Sequence, residues 1–214
     1  MLTIFSAKLN SAVSIAAICL CCILCFTGCT ESRTSVLNEQ LLSNNPDLDF
    51  ETHKDLPPTP MTLYSISNIL ASQGRDSDCE LLLKRIIKEQ PGFMPAYSSL
   101  AQLQMRHRRV NEAIETLSKA VQIAPRDTVL LNNLGVCQIV KRDYEAALAS
   151  FTAAAGISPE NARYRANMAL ALGMMNRDEE SLALFKQILP EEKANDNLNV
   201  IRAAVKKSKP NASM

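Results

Sequence analysis

Residues 128–161 read TVLLNNLGVCQIVKRDYEAALASFTAAAGISPEN. Leu131, Leu134, Gly135 and Gln138 step by three, one and three residues, which places them on one face of a helix. Ala147, Phe151 and Ala154 step by four and three and define the face of a second helix. The small residues Gly135 and Ala147 let the two backbones approach, and Phe151 is expected to pack into a neighbouring unit. Pro159 ends the second helix, because proline lacks an N–H and clashes with the preceding turn.

The same columns recur at a fixed step of 34. Pro91, Pro125 and Pro159 keep it twice, and Leu83, Leu117, Phe151 and Phe185 keep it three times. So do Ile66, Leu100, Leu134 and Met168, and so do Ala101, Gly135 and Ala169. Ala113 and Ala147 follow it, with Cys79 and Ser181 as small equivalents. This period with these residue types resembles the tetratricopeptide repeat (TPR). The reading is an all-α helix-turn-helix solenoid of about four units, because one such unit cannot bury its own apolar surface.

The units are Pro60–Phe93, Met94–Asp127, Thr128–Asn161 and Ala162–Asn195. The fourth departs from the pattern: its closing proline should fall at Lys193, yet Pro190 comes three residues early. Pro190 followed by Glu191 and Glu192 reads as the first turn of a new helix. Ala194, Leu198, Ile201 and Val205 give that helix an apolar stripe. It is a capping helix over 190–207, closing a TPR domain of residues 60–207 and leaving 208–214 as a polar tail.

The N-terminus is of another kind. Lys8 is the only charged residue before Glu31, an apolar run covers Ala12 to Phe26, and Thr27 and Gly28 close it. Those are the regions of a secretory signal peptide, and the run of 15 residues is short for a bilayer span. Phe26-Thr27-Gly28-Cys29 resembles the bacterial lipobox. The resemblance implies a lipoprotein signal peptide over 1–28, acylation of the Cys29 thiol and a new N-terminus there. Residues Thr30 to Pro60 lack apolar periodicity and end in Pro57-Pro58-Thr59-Pro60, so 29–59 reads as a flexible tether with a stiff end.

Composition narrows the function classes. Hydrophobic residues make up 47% of the 214 and aromatics 5%, which suits a stack packed by Ala, Gly and Leu. The formal charge of +1 gives no drive toward nucleic acid. Four of the seven cysteines leave with the signal peptide, and Cys79 and Cys137 fall in core-like columns as small hydrophobes. His53 and His107 have no partner at metal-ligand spacing, and no phosphate loop or serine elbow occurs. The expectation is a non-enzymatic chain with no metal and no cofactor. The basic clusters Arg106-His107-Arg108-Arg109 and Lys206, Lys207 and Lys209 read as a solvated turn and a charged tail.

A groove is the remaining candidate. First helices of such stacks line the concave side. The side chains placed there are Tyr64 and Asn68, Gln102 and Met105, Asn132, Val136, Ile139 and Val140, then Leu170 and Met174. Val136, Ile139, Leu170 and Met174 would leave an apolar surface wet, which marks a protein partner site. The alternative is that the cap or the tether fills it. A carboxylate clamp is not expected, because Asn68, Asn132 and Arg106 have no accompanying groove lysine.

The last two units carry a narrower likeness. Leu131-Asn132-Asn133-Leu134-Gly135-Val136, Asn167-Met168-Ala169-Leu170-Ala171-Leu172-Gly173, Ile188-Leu189-Pro190 and Leu198-Asn199-Val200-Ile201-Arg202 resemble TadD-like lipoproteins of tight-adherence (Flp-type) pilus assembly. The likeness covers about Asn132 to Ala204, and it departs at Met174-Met175-Asn176 and at Asp196-Asn197. It implies a pilotin-like adaptor, lipid-anchored at the periplasmic face of the outer membrane, that binds a pilus secretin or another component of that machine. Two other readings stay open: a general organiser of the cell envelope, and an accessory subunit of an enzyme.

Overall fold

A computed structural model describes residues 58–208. The leader, Cys29, His53, the tether up to residue 57 and Lys209 lie outside the described residues. The described residues form nine helices and no strand. In order they are α1 (Pro60–Ser72), α2 (Asp76–Glu89), α3 (Met94–Arg106), α4 (Val110–Ile123), α5 (Thr128–Lys141), α6 (Tyr144–Ile157), α7 (Ala162–Met174), α8 (Asp178–Lys186) and α9 (Glu191–Ser208).

Local chemistry sets these boundaries. Oxygen-bearing side chains before α1, α5 and α7 accept from first-turn N–H groups that have no helical partner. Thr59 Oγ1 accepts from Thr62 N at 3.2 Å, Asp127 Oδ1 from Val129 N at 2.9 Å, and Asn161 Oδ1 from Arg163 N at 3.1 Å. The turn inside each hairpin is the same object four times. Gly74, Arg108, Arg142 and Asn176 stand 34 apart and share φ between 59° and 72°. In each turn the next residue's N–H returns five residues: Arg75 to Leu70 O, Arg109 to Gln104 O, Asp143 to Gln138 O and Arg177 to Leu172 O, at 2.8–2.9 Å. That is the Schellman closure, which needs a left-handed residue and favours glycine. Only the first unit supplies one.

The seams between units form the core. Cys79, Leu83 and Ile86 of α2 cluster with Ala96, Leu100 and Leu103 of α3. One unit later, Ala113, Leu117 and Ala120 of α4 cluster with Leu130, Leu134 and Cys137 of α5. All twelve are at most 8% exposed. Full burial of each large side chain contributes roughly 1.5–3 kcal/mol. Inside the third hairpin the Phe151 ring lies against Gly135, where a Cβ would sit 2.5 Å from Cε1. The ring therefore fills space inside its own hairpin, in the column whose members Leu83 and Leu117 cluster with the next unit's first helix. The physical reason is the missing side chain at Gly135, which opens the space directly opposite.

The fourth unit stops short. α8 ends at Lys186, since Pro190 cannot continue a helix and restricts the residue before it. Helix α9 then acts as the first helix of a fifth unit. Its Leu198 and Val205 continue the columns of Leu130 and Cys137, and both are buried. Arg202 falls where those columns' apolar neighbour would be and pairs with Asp178 Oδ2 at 2.7 Å. Ile201 packs on Gly173, 2.9 Å from where a Cβ would stand.

Candidate partner-binding groove

First helices of adjacent units touch directly, α3 with α5 and α5 with α7. Second helices meet the next unit through its first helix, as α4 meets α5 and α6 meets α7. The stack thus brings the first helices closest together, and the groove residues lie along that rank.

The groove has two polar bridges at equivalent positions. Tyr64 Oη and Ser99 Oγ are 3.0 Å apart between α1 and α3. Two units on, Asn167 Nδ2 donates to Asn132 Oδ1 at 2.7 Å between α7 and α5. Asn132 is buried at 7% exposure. Asn167 thus bonds across to a side chain of the preceding unit. That link needs two side chains of matched reach from elements 35 residues apart, which periodicity alone does not reveal.

The apolar part of the groove is drier than expected. Val136 and Ile139 are 8% and 7% exposed, so water does not wet them. The first helix of unit three has first-helix neighbours on both sides, and residues one step off its seam are covered laterally. Val140 is half-buried. Leu170 and Met174 are half-buried and pack against the cluster that contains Phe185 and Ile201. Tyr64 and Met105 are half-buried, while Asn68 and Gln102 are exposed. The groove thus offers exposed amides on units one and two and half-buried aliphatic side chains on units three and four. Cys29, the proposed lipidation site, lies outside the described residues.

The basic turn is not simply solvated. Arg106 Nη2 reaches Asp76 Oδ1 at 3.0 Å, and His107 Nε2 lies 2.6 Å from Asp76 Oδ2. Arg109 binds Glu80 through Nη2 to Oε2 at 2.5 Å and also pairs with Glu112. Three of the four basic side chains are therefore matched by carboxylates, two on α2 and one on α4. Arg109, and then Lys84, hold the Glu80 carboxyl down at about 2. Acidic α2 residues lay one unit upstream of the cluster in sequence, and only stacking sets them side by side.

Two glutamine pairings also escaped sequence reasoning, one at buried Gln104 and one at half-buried Gln138. Thr116 Oγ1 donates to Gln104 Oε1 at 2.9 Å, and Ser150 Oγ donates to Gln138 Oε1 at 2.7 Å. The 34-residue step between these pairs was a usable signal. Leu70 with Leu82, and Leu172 with Leu184, stand at the same positions in the outer units. Cys79 and Cys137 are buried free thiols, and burial pushes Cys137 up to about 12. Among the described residues no group of three or more His, Cys, Asp or Glu could hold a metal ion. No helix among them is long and apolar enough to cross a membrane.

A tetratricopeptide-repeat family model matches residues 95–127. The curated Protein O-mannosyl-transferase TMTC1 is similar: the mouse protein is 26% identical over 108 residues and the human one 29% over 136. These matches cover 49% and 60% of this chain but only 12% and 15% of those proteins. Among solved structures, MamA AMB-1 aligns at TM-score 0.52 and 22% identity, covering 64% of this chain and 72% of its own. The MamA RS-1 double mutant aligns at 0.57 and 17%, covering 89% and 99%. YrrB, described as a TPR protein with an unusual peptide-binding site, aligns at 0.59 and 15%, covering 74% and 84%. At these identities the structural likeness speaks to the fold, and by that fold and its repeat signature the chain is a tetratricopeptide-repeat solenoid.

Proposed function

We propose that this chain is a non-enzymatic adaptor, anchored in the cell envelope through a lipid on Cys29, that holds a protein partner against its rank of first helices. The partner is a secretin or another component of a Tad/Flp-type pilus or secretion machine, and the anchor lies at the periplasmic face of the outer membrane. The observation that carries the reading is the groove itself. Exposed amides at Asn68 and Gln102 can bond a partner's backbone, and the half-buried Leu170 and Met174 offer it an apolar foothold. Support also comes from YrrB, a neighbour in fold whose description names a peptide-binding site. The pilus assignment rests on the TadD-like motifs of the last two units.

The test is affinity purification from the native host after crosslinking. Asn68→Arg combined with Gln102→Arg, and separately Leu170→Glu, should each reduce recovery of the secretin while circular dichroism stays native. Equal recovery from variants of native helicity would refute the groove. Cys29→Ala should move the protein from the membrane fraction to the soluble one; a membrane-bound variant would refute the lipid anchor.

A further inference from the structure

We propose that the cleft between α2 and α4, floored by α3, binds a proline-rich segment of a partner protein through that segment's backbone carbonyls. The cleft has a volume of about 260 Å³, and Ile87, Tyr97, Leu100, Gln104 and Thr116 line it. Two of these side chains carry polar groups that the fold does not use. Tyr97 is 4% exposed and Gln104 is 3% exposed. Gln104 Oε1 accepts from Thr116 Oγ1 at 2.9 Å, but neither Gln104 Nε2 nor the Tyr97 hydroxyl has a hydrogen-bond partner among the described residues. Neither atom is sealed in, since Arg165 Nε is the one side-chain atom among those residues that is both enclosed and unpaired. A donor left unpaired in so buried a side chain is costly, so each calls for a partner from outside the fold. Packing does not explain the hydroxyl, because Leu63 and Leu131 fill the same column without one. Gln138 and Ser150 repeat the glutamine pairing in unit three, yet Leu131 stands there in place of the tyrosine, so the cleft between α2 and α4 alone joins both groups.

The chemistry of the floor selects the ligand. Gln104 has only its N–H bonds left to offer. Burial pushes the Tyr97 phenol up, against the pull of Lys119, so it stays protonated and donates. The floor therefore offers donors and needs acceptors. Charge at the rim is matched: Lys84 pairs with Glu80 at 2.7 Å, Lys119 with Glu115 at 2.8 Å and Glu112 with Arg109 at 3.2 Å. That leaves no net pull on a phosphate or a nucleic acid. A neutral backbone that accepts without donating is one of prolines, which have no N–H. Spacing agrees. Tyr97 and Gln104 stand seven residues apart on α3, about 10.5 Å along its axis. A polyproline II helix brings a carbonyl back to the same face every three residues, about 9.3 Å. Two carbonyls one turn apart can thus accept from the two side chains, with a proline ring over Leu100 between them. The cleft lies on the second-helix side of the stack, apart from the groove.

The experiment titrates the full chain with acetyl-hexaproline-amide and follows the ¹H–¹⁵N signals of the Gln104 side chain and of α3. Saturable shifts should appear there, and neither a blocked glycine-serine hexapeptide nor inorganic phosphate should reproduce them. Tyr97→Phe should weaken binding by about tenfold or more and leave the Tm unchanged or raised, because the hydroxyl bonds nothing inside the fold. Gln104→Leu combined with Thr116→Leu copies Leu70 and Leu82 of unit one and should weaken binding in the same way. Leu170→Glu in the groove should leave binding unchanged. A benzoylphenylalanine in place of Lys84 should crosslink the added peptide. Five results would overturn the proposal: no binding, equal binding of the glycine-serine peptide, full binding by Tyr97→Phe, binding lost in Leu170→Glu, or a crosslink from position 84 to residues 1–57 or to a second copy when no peptide is present. The fourth would move the peptide to the groove, and the fifth would make this chain the occupant.

Discussion

Gly135→Ala should destabilise the domain, although the same change in an exposed helix would stabilise it. Removing a glycine from a helix interior gains about 1 kcal/mol. At Gly135 the added Cβ would lie 2.5 Å from Phe151 Cε1 and 2.8 Å from both Cδ1 and Cζ. Phe151 is 1% exposed and has no free direction in which to move. Overpacking a filled core costs about 1–3 kcal/mol, and a contact this short belongs at the upper end. The net loss is then about 2 kcal/mol, or a Tm lower by about 4–8 °C for a domain of this size. Urea and thermal unfolding followed by circular dichroism at 222 nm would read it. The second unit suggests the rescue, since it pairs Ala101 with Leu117 at the same positions. Gly135→Ala with Phe151→Leu should lose less than the sum of the two single changes, by about 1 kcal/mol or more. The fourth unit pairs Ala169 with Phe185, but its second helix has nine residues where α6 has fourteen. An unchanged or raised Tm for Gly135→Ala, or strict additivity in the double variant, would refute the claim that this ring and this glycine define the hairpin spacing.

Arg142→Gly should raise stability by about 0.5–1 kcal/mol in urea unfolding, because φ of 67° is strained for a side chain and free for glycine. Ala147→Trp should lower the melting point sharply, by roughly 1–3 kcal/mol or more, since Ala147 is fully buried. Cys79 and Cys137 should resist Ellman's reagent at pH 8 and react only as fast as the protein opens. Cys137 sits near 12 when folded against an ordinary value of 9, so the unfolded chain loses its proton first and stability falls as pH rises from about 9 toward 12. Glu80 runs the other way. Its folded value of about 2 against 4.5 contributes stability above pH 4.5 that fades as pH falls toward 2, so the urea midpoints of wild type and Glu80→Gln should converge there.

The fold was legible because each unit repeats the same local physics. The spacing of Leu83, Leu117, Phe151 and Phe185 follows from a helix face that must be buried in every copy. Pro91, Pro125 and Pro159 mark where a helix cannot continue, and Pro190 announced the early end of α8. The curved inner surface was legible in outline, since the columns not used for packing had to face it. Its wetness was not. Whether Val136 is open depends on how closely neighbouring first helices approach, a distance no single helix encodes.

The sequence by itself determined the helices, their 34-residue period, their boundaries and the short fourth unit, because those follow from residue-local preferences and from faces repeated at fixed spacing. Tertiary structure alone decided which side chains meet across units. It set Asn167 against Asn132, Arg109 against Glu80, and the Phe151 ring over Gly135. It also left Ile66 and Ile69 exposed while their counterparts in the next unit are buried. The physical reason is that burial and pairing belong to the seam between two units, and the first unit described has such a seam on one side only.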